Sequence, residues 1–266
     1  MAEQESPPWG DDRFSKFFRE AEFKTRAAAV KYPDVFALLQ RVCDAFEKTH
    51  SSREVADRML PRILLVRTYS AYCAACRLAM SGQSFEAHVV LRAGLEAAWY
   101  GLHIAKDPVP LTRANIWLQR HDGDQALGRC KTEFRVKNVR ATHKALDVVT
   151  EADMGALYDR LIDYGAHPNP RGVLATVRKV KTENRPGRYD MSILDPEPEA
   201  ILFALLMAAK MGVGVLKMFR LVYPERFSIV GLYGEIENLV TQIRDVFDHY
   251  YAGAAGEQSV PHVATP

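Results

Sequence analysis

The sequence is short of most features that announce a function. It holds only four cysteines, Cys43, Cys73, Cys76 and Cys130. There is no second Cys-x2-Cys pair and no histidine at zinc-ligand spacing, which excludes a disulfide framework and a zinc site of the usual finger type. The Cys73-x2-Cys76 pair falls inside a helical pattern and reads as core. No glycine-rich phosphate loop, Gly-x-Ser-x-Gly or His-Glu-x-x-His is present, so three common nucleotide and hydrolase signatures are excluded. No charge of one sign dominates: 35 Lys and Arg stand against 33 Asp and Glu, a formal charge of +2. A global field that would draw the chain to nucleic acid is therefore missing, though a local basic patch is not. The most apolar stretch, Ala200–Val222, is interrupted by Lys210, Lys217 and Arg220. Charges near a bilayer centre cost about 2.5–3.5 kcal/mol each, so this stretch reads as a buried core helix, one able to serve as a dimer face as well, and no membrane partner is expected.

What is present is a helical period in a chain of 266 residues, 48% of them apolar, enough to bury one large core. Asp11 and Asp12 can cap a helix running to about Tyr32, with Phe14, Phe17, Phe18 and Phe23 mostly on one side. Pro33 suits the first turn of the next, which carries Val35, Phe36, Leu39, Val42, Cys43 and Phe46. Ser51 and Ser52 can cap a helix to Met80, with Pro61 a possible kink. Ser84 opens a helix to about Lys106, stopped by Asp107-Pro108-Val109-Pro110. A short helix covers Leu111–Arg120, a poorer and charged pattern runs from Gln125 to Val149, and Thr150–Tyr164 looks capped by Thr150 with Asp153. Gly165 to Glu199 holds three glycines and five prolines and reads as loop, with a short hairpin near Val173–Val180. Helices over Ala200–Tyr223 and roughly Ile229–Tyr251 close the chain, the last turning Ile236, Leu239, Val240, Ile243, Val246 and Phe247 inward. The fold class expected is all-α, an antiparallel multi-helix bundle with one irregular Pro/Gly-rich insert. One domain spans residues 11–251, with the insert at 165–199 and mobile tails at 1–10 and 252–266.

Three constellations bear chemistry. On the helix from Ser84, a rotation of 100° per residue puts His88, Trp99, Arg92, His103 and Glu96 within one 80° stripe of an otherwise apolar rod. Buried charge must be paired, and Arg92 with Glu96 at i, i+4 can do so. The stripe reads either as a polar seam lining a cleft or as a structural ion pair with solvent-facing histidines. The second constellation is Arg160, Asp163, His167, Asn169 and Arg171. Gly165 can end the helix in a left-handed conformation, and Pro168 and Pro170 stiffen the segment beyond it, as suits a binding or catalytic loop. The bland alternative is a proline turn whose polar side chains satisfy helix ends. The third is charge. Arg171–Arg188 carries six basic residues against one acidic, and Arg120–Lys144 seven against three. Phe134 and Tyr189 offer stacking faces. Phosphate contact is one reading of this, and a plain solvated surface is the bland and more usual one. Asp245 and His249 form an i, i+4 pair on the outer face of the last helix.

Val90-Leu91-Arg92-Ala93-Gly94-Leu95-Glu96-Ala97-Ala98-Trp99-Tyr100 resembles the Leu-Arg-x-x-x-Glu helix of bacterial all-helical proteins of HEPN-like type (higher eukaryotes and prokaryotes nucleotide-binding). Trp117-Leu118-Gln119-Arg120-His121-Asp122 and Asp163-Tyr164-Gly165-Ala166-His167-Pro168-Asn169-Pro170 are similar to blocks of such proteins, and the resemblance covers roughly residues 60–175. HEPN-like ribonucleases carry an arginine, four to six residues, then a histidine. Arg160 and His167 meet that spacing, while the position after the arginine, often polar in the family, is Leu161 here. The resemblance implies His167 as general base or acid on a 2′-hydroxyl or leaving oxygen and Arg160 as the group that offsets phosphoryl charge. It also implies no metal or cofactor, and two copies facing each other as a homodimer.

The first expectation is therefore a cytoplasmic HEPN-like protein that binds RNA or nucleotides, or cleaves RNA without metal, in a stress or defence system. Its catalytic residues are His167 and Arg160, with binding by Asp163, Asn169 and Arg171 and support from Arg92 and Glu96. The acidic, proline-broken N-terminus has no basic segment leading an apolar one, which is why a cytoplasmic address is expected. The second expectation is a non-catalytic helical binding or scaffold protein. The third is a bundle that holds a metal or small ligand on His88, His103 and Glu96.

Overall fold

A computed structural model of the chain describes residues 10–50, 59–166, 170, 177–180, 188–194 and 198–251. The protein is all-α, as the 3.6-residue period predicts. Its helices are α1 (Arg13–Lys31), α2 (Pro33–His50), α3 (Met59–Met80), α4 (Ser84–Ala105), α5 (Thr112–Leu118), α6 (Asp124–Glu133), α7 (Val136–Leu146), α8 (Val148–Leu161), α9 (Pro198–Val222), α10 (Pro224–Ile229) and α11 (Leu232–Tyr251). The expected hairpin is two four-residue strands, β1 (Val177–Val180) and β2 (Arg188–Met191), antiparallel with Val177 opposite Met191. His167, Asn169 and Arg171, the expected tails, and the Ser51 and Ser52 caps lie outside the described residues.

Local chemistry sets most boundaries. The Asp12 carboxylate accepts from the backbone N–H groups of Phe14 at 2.9 Å and Ser15 at 3.0 Å, taking up two donors that helix geometry leaves orphaned. Gly82, at φ +84°, turns α3 back into α4 within three residues, so the two pack side by side. Three expectations are corrected, the cap of α8, the single helix over 125–149 and the inward Phe247. The cap of α8 is Asp147, whose extended backbone sets its carboxylate under the first turn to accept from Thr150 N–H at 2.9 Å. The charged stretch 125–149 is two helices parted at Phe134 and Arg135. The last helix begins at Leu232, close to the expected Ile229, after the turn at Gly231, φ +69°. The phenylalanines of α1 do not enter the core; Phe14 and Phe23 are largely exposed, and α1 seats Ala21 and Ala28 instead. Phe247 is also part-exposed, stacked on Tyr251.

The core is organised around α9, which packs against α2, α3, α4, α8 and α11. Leu205, Leu206, Ala208, Ala209, Met211, Leu216 and Phe219 are buried on all sides of it. A helix covered on nearly all sides is apolar over most of its surface, with Lys210, Lys217 and Arg220 part-exposed along it. That accounts for α9 being, among the described residues, the one helix long and apolar enough to cross a membrane, with 78% of its most apolar window buried inside the protein. Gly212 lets α2 and α3 close on it: a Cβ there would stand 2.5 Å from Val42 Cγ1 and 3.1 Å from Tyr72 Cε2.

Candidate functional site

In the polar stripe of α4, His88, Trp99 and His103 are buried while Arg92 and Glu96 are part-exposed, and its members go to separate partners. Arg92 Nε donates to Glu96 Oε1 at 3.0 Å, and the Tyr158 hydroxyl donates to the same oxygen at 2.7 Å. The Arg92 guanidinium lies 5.4 Å over the Tyr158 ring. One turn on, Trp99 Nε1 donates to His143 Nδ1 at 3.2 Å. That ring is buried, and burial lowers its pKa. Arg140 stacks 5.9 Å over Trp99 and ties Glu151 at 2.6 Å.

His103 sits between the Thr142 hydroxyl, 2.7 Å from Nδ1, and Glu133, 3.1 Å from Nε2. The order hydroxyl, imidazole, carboxylate has the outline of a nucleophile triad. Here it is a cross-link: the ring is buried, Thr142 sits within α7, and Glu133 is also held by Arg113 Nε at 2.9 Å. Burial, then the Arg113 charge, lowers the His103 pKa, against the pull of Glu133. The expected alternative of solvent-facing histidines is corrected, since both His88 and His103 are buried. So is a shared ligand on His88, Glu96 and His103. Fifteen residues of helix separate the two histidines by about 22 Å, and no group of three metal-ligating side chains occurs among the described residues. Phe134 is not a stacking face for a base either; it is buried against Tyr100 and His103.

The segment leading toward His167 begins in an unusual turn. After Leu161 the backbone widens into π-helical geometry over Ile162–Ala166, a feature that recurs at functional sites. Gly165 is not the left-handed terminator expected. It is there for contact: a Cβ would lie 2.6 Å from both the His88 Cβ and the Phe85 carbonyl oxygen. Tyr164 and Phe203 flank the His88 ring at 6.0 and 5.9 Å. Neither His88 ring nitrogen has a hydrogen-bond partner among the described residues. Burial pushes its pKa down to about 4, which the Ser84 backbone only partly opposes. Asp163 is half-buried within the same turn.

Arg160, one turn earlier, leads elsewhere. Tyr158 faces α4, and two residues on, at about 200° of rotation, Arg160 stands on the opposite side of α8. There it lines an open cleft of about 320 Å³ between α8, α9 and α11. The structure therefore separates Arg160 from Arg92 and Glu96, which do not support it. The floor of the cleft is aliphatic: Met154 and Leu157 from α8, Met207 and Val213 from α9, Val240 and Ile243 from α11. Gly214 permits this, because the Met154 side chain lies where a Cβ would be. The polar lining is Thr150, Asp153, Arg160, Lys210 and Lys217. No described residue forms an ion pair with any of the three cations. Lys210 is half-buried with its ammonium 5.2 Å over the Phe247 ring. Burial lowers its pKa first and the Arg160 charge adds to that, while Asp153 opposes. Three cations with one carboxylate nearby leave a net positive cleft over an apolar floor, which is the arrangement that takes an anion bearing an apolar body.

Arg160 stands out in the sequence, whereas Lys210 and Lys217 register there only as interruptions of an apolar helix. Their signal is position. Lys210, Gly214 and Lys217 fall within one narrow stripe at 100° per residue, so the two lysines of a largely buried helix share a single face.

No family model, curated protein or solved structure matches the chain. The geometry of the cleft is therefore the guide to what it does.

Proposed function

We propose that the protein binds a phosphate-bearing ligand, a nucleotide or the end of an RNA strand, in the cleft of Arg160, Lys210 and Lys217. One observation carries the reading: three cations converge there with no ion-pair partner among the described residues, close enough that Arg160 lowers the proton affinity of Lys210. A protein that holds like charges together unpaired gains most when an anion arrives. The cleft volume falls at the small end of the roughly 300–1,000 Å³ range of ligand pockets, which suits one nucleotide unit. Exposed Arg129, Lys131, Arg135, Lys137 and Lys144 on and between α6 and α7 add a solvated basic surface for a longer strand.

The reading keeps the HEPN-like expectation. In it the protein is cytoplasmic and a homodimer, and RNA cleavage uses His167 as general acid or base while Arg160 offsets phosphoryl charge. Fluorescence anisotropy with a labelled oligoribonucleotide, and competition by nucleoside monophosphates, tests the binding. Lys210→Met with Lys217→Met should weaken both and lower the salt slope by about one for each cation removed. Equal binding by the wild type and the double variant removes the cleft from the reading. Loss of cleavage in His167→Ala, with binding kept, supports the enzyme; a wild type that cleaves nothing leaves a binding protein. Sedimentation equilibrium reads the dimer as twice the 29.9 kDa chain.

The second reading is a non-catalytic helical binding protein. It draws on α1, where the Phe14 and Phe23 rings stay in solvent, and it predicts that cleft variants leave the protein's cellular effect intact.

A further inference from the structure

The cysteines that read as core from the sequence are partly at the surface, and two of them meet. Cys43 on α2 and Cys73 on α3 bring their sulfur atoms to 4.0 Å. Cys73 is exposed and Cys43 half-buried. The sulfurs of a disulfide stand about 2.05 Å apart, so each has only about 1 Å to travel, a side-chain adjustment between helices already packed together.

The Cys43 thiol stands at one end of a hydrogen-bonded chain. The Tyr69 hydroxyl donates to Glu47 Oε1 at 2.8 Å, so its oxygen is free to accept from the Cys43 thiol, 3.1 Å away. The other Glu47 oxygen takes His50 Nε2 at 3.0 Å. Thiol, phenol and exposed carboxylate thus form a continuous path from the Cys43 sulfur to solvent. Cys76, one turn further along α3, has no such path and lies deeper.

We propose that Cys43 and Cys73 are an oxidisable dithiol that closes into an intrachain disulfide when a hydroperoxide is present. The exposed Cys73 sulfur attacks the peroxide. Its S–H proton is lost, the O–O bond breaks, and Cys73 becomes a sulfenic acid while an alcohol or water departs. The Cys43 sulfur then attacks the sulfenic sulfur, its proton leaving by way of Tyr69 and Glu47. The S–O bond breaks, water departs and the S–S bond forms. Two thiols are oxidised and one peroxide is reduced, and a dithiol reductant reverses the change. Cys73 is exposed as a residue, but partial burial of its thiol and the Cys43 neighbour hold that thiol up at about 11. The pair is therefore quiet at neutral pH and reacts faster as pH rises. The disulfide braces the two helices whose Val42 and Tyr72 press on Gly212 of α9. None of this depends on what the cleft binds.

The test uses the purified full chain, treated with hydrogen peroxide, alkylated and mapped by mass spectrometry. The expected product is a single covalent chain that has lost two hydrogens, with Cys43 and Cys73 peptides linked, a higher Tm, and full reversal by dithiothreitol. Cys76→Ser and Cys130→Ser should form the link unchanged. Cys43→Ser keeps a hydroxyl for Tyr69, so it should fold and accumulate a Cys73 sulfenic acid that dimedone traps. The proposal is overturned if both thiols stay open to alkylation after peroxide, if the link joins Cys73 to Cys76, or if it joins two chains. Trapping at Cys43 in Cys73→Ser, with no trapping at Cys73 in Cys43→Ser, overturns the order of attack.

Discussion

The backbone of Gly165 rests on His88: a β-carbon at position 165 would stand 2.6 Å from the His88 Cβ and equally close to the Phe85 carbonyl oxygen. Neither obstacle is the far end of a flexible side chain, so the wide turn or α4 must move to admit a methyl group. Gly165→Ala should cost about 1–3 kcal/mol by the overpacking penalty, read as a lower urea midpoint with unchanged slope. A neutral result would mean that the turn lifts off α4 at little cost.

His88 beneath that turn makes the fold acid-labile. Its pKa in the folded protein is about 4 against an ordinary 6.5, because burial disfavours the charged ring. Between pH 6.5 and 4 the unfolded chain holds a proton that the folded chain does not, so stability falls as pH falls through that window and is intact above it. The full shift corresponds to about 3 kcal/mol. His103 and His143, also lowered by burial, act in the same direction. His88→Leu should remove its share of the acid slope in urea unfolding between about pH 7 and pH 4; an unchanged slope would show that the ring titrates normally.

The all-α class and most helix limits were legible because caps and stops are local. Asp12, Pro33, Gly82 and Pro224 each act within a turn of the chain. The failures were tertiary. Gly165 looked like a terminator because a glycine's reason, here the approach of α4, is not written beside it. The polar stripe of α4 was legible as a stripe, yet its partners Tyr158, His143, Thr142 and Glu133 come from three other helices at separations no periodicity encodes. The cleft was half legible. Arg160 stood out, but Lys210 and Lys217 acquire their meaning only when α8 and α11 pack beside them.

Two arginine–carboxylate pairs separate surface from interior. The side chains of Arg92 and Glu96 are 26% and 31% exposed, and Glu96 keeps the Tyr158 hydroxyl if Arg92 is removed. The expected burial of this pair is thus only partial, and Arg92→Ala should cost about 1 kcal/mol or less. Glu151 is only 8% exposed and depends on Arg140, which also stacks on Trp99 and fills the space above Gly155. Arg140→Ala strands a buried carboxylate and should cost about 3 kcal/mol. Thermal melts of the two variants side by side decide it, and equal losses would contradict the difference in burial.

A cleft built to receive an anion should weaken the empty protein. Lys210 is half-buried, its charge is opposed by Arg160, and its neighbours Met207, Val213 and Ile243 are apolar. Lys210→Met keeps the chain length, removes the repulsion and matches the floor. Without ligand it should therefore raise stability, by about 0.5–1 kcal/mol on the scale of a partly exposed charge. With ligand the order should reverse, because the wild type gains RT ln(1 + [L]/Kd) from an anion that the variant no longer holds. Melting both proteins with and without a nucleoside monophosphate reads both halves. A variant less stable than the wild type in the empty state would mean that the Phe247 ring and Asp153 already satisfy the Lys210 charge within the chain, and the case for an anion in the cleft would fail with it.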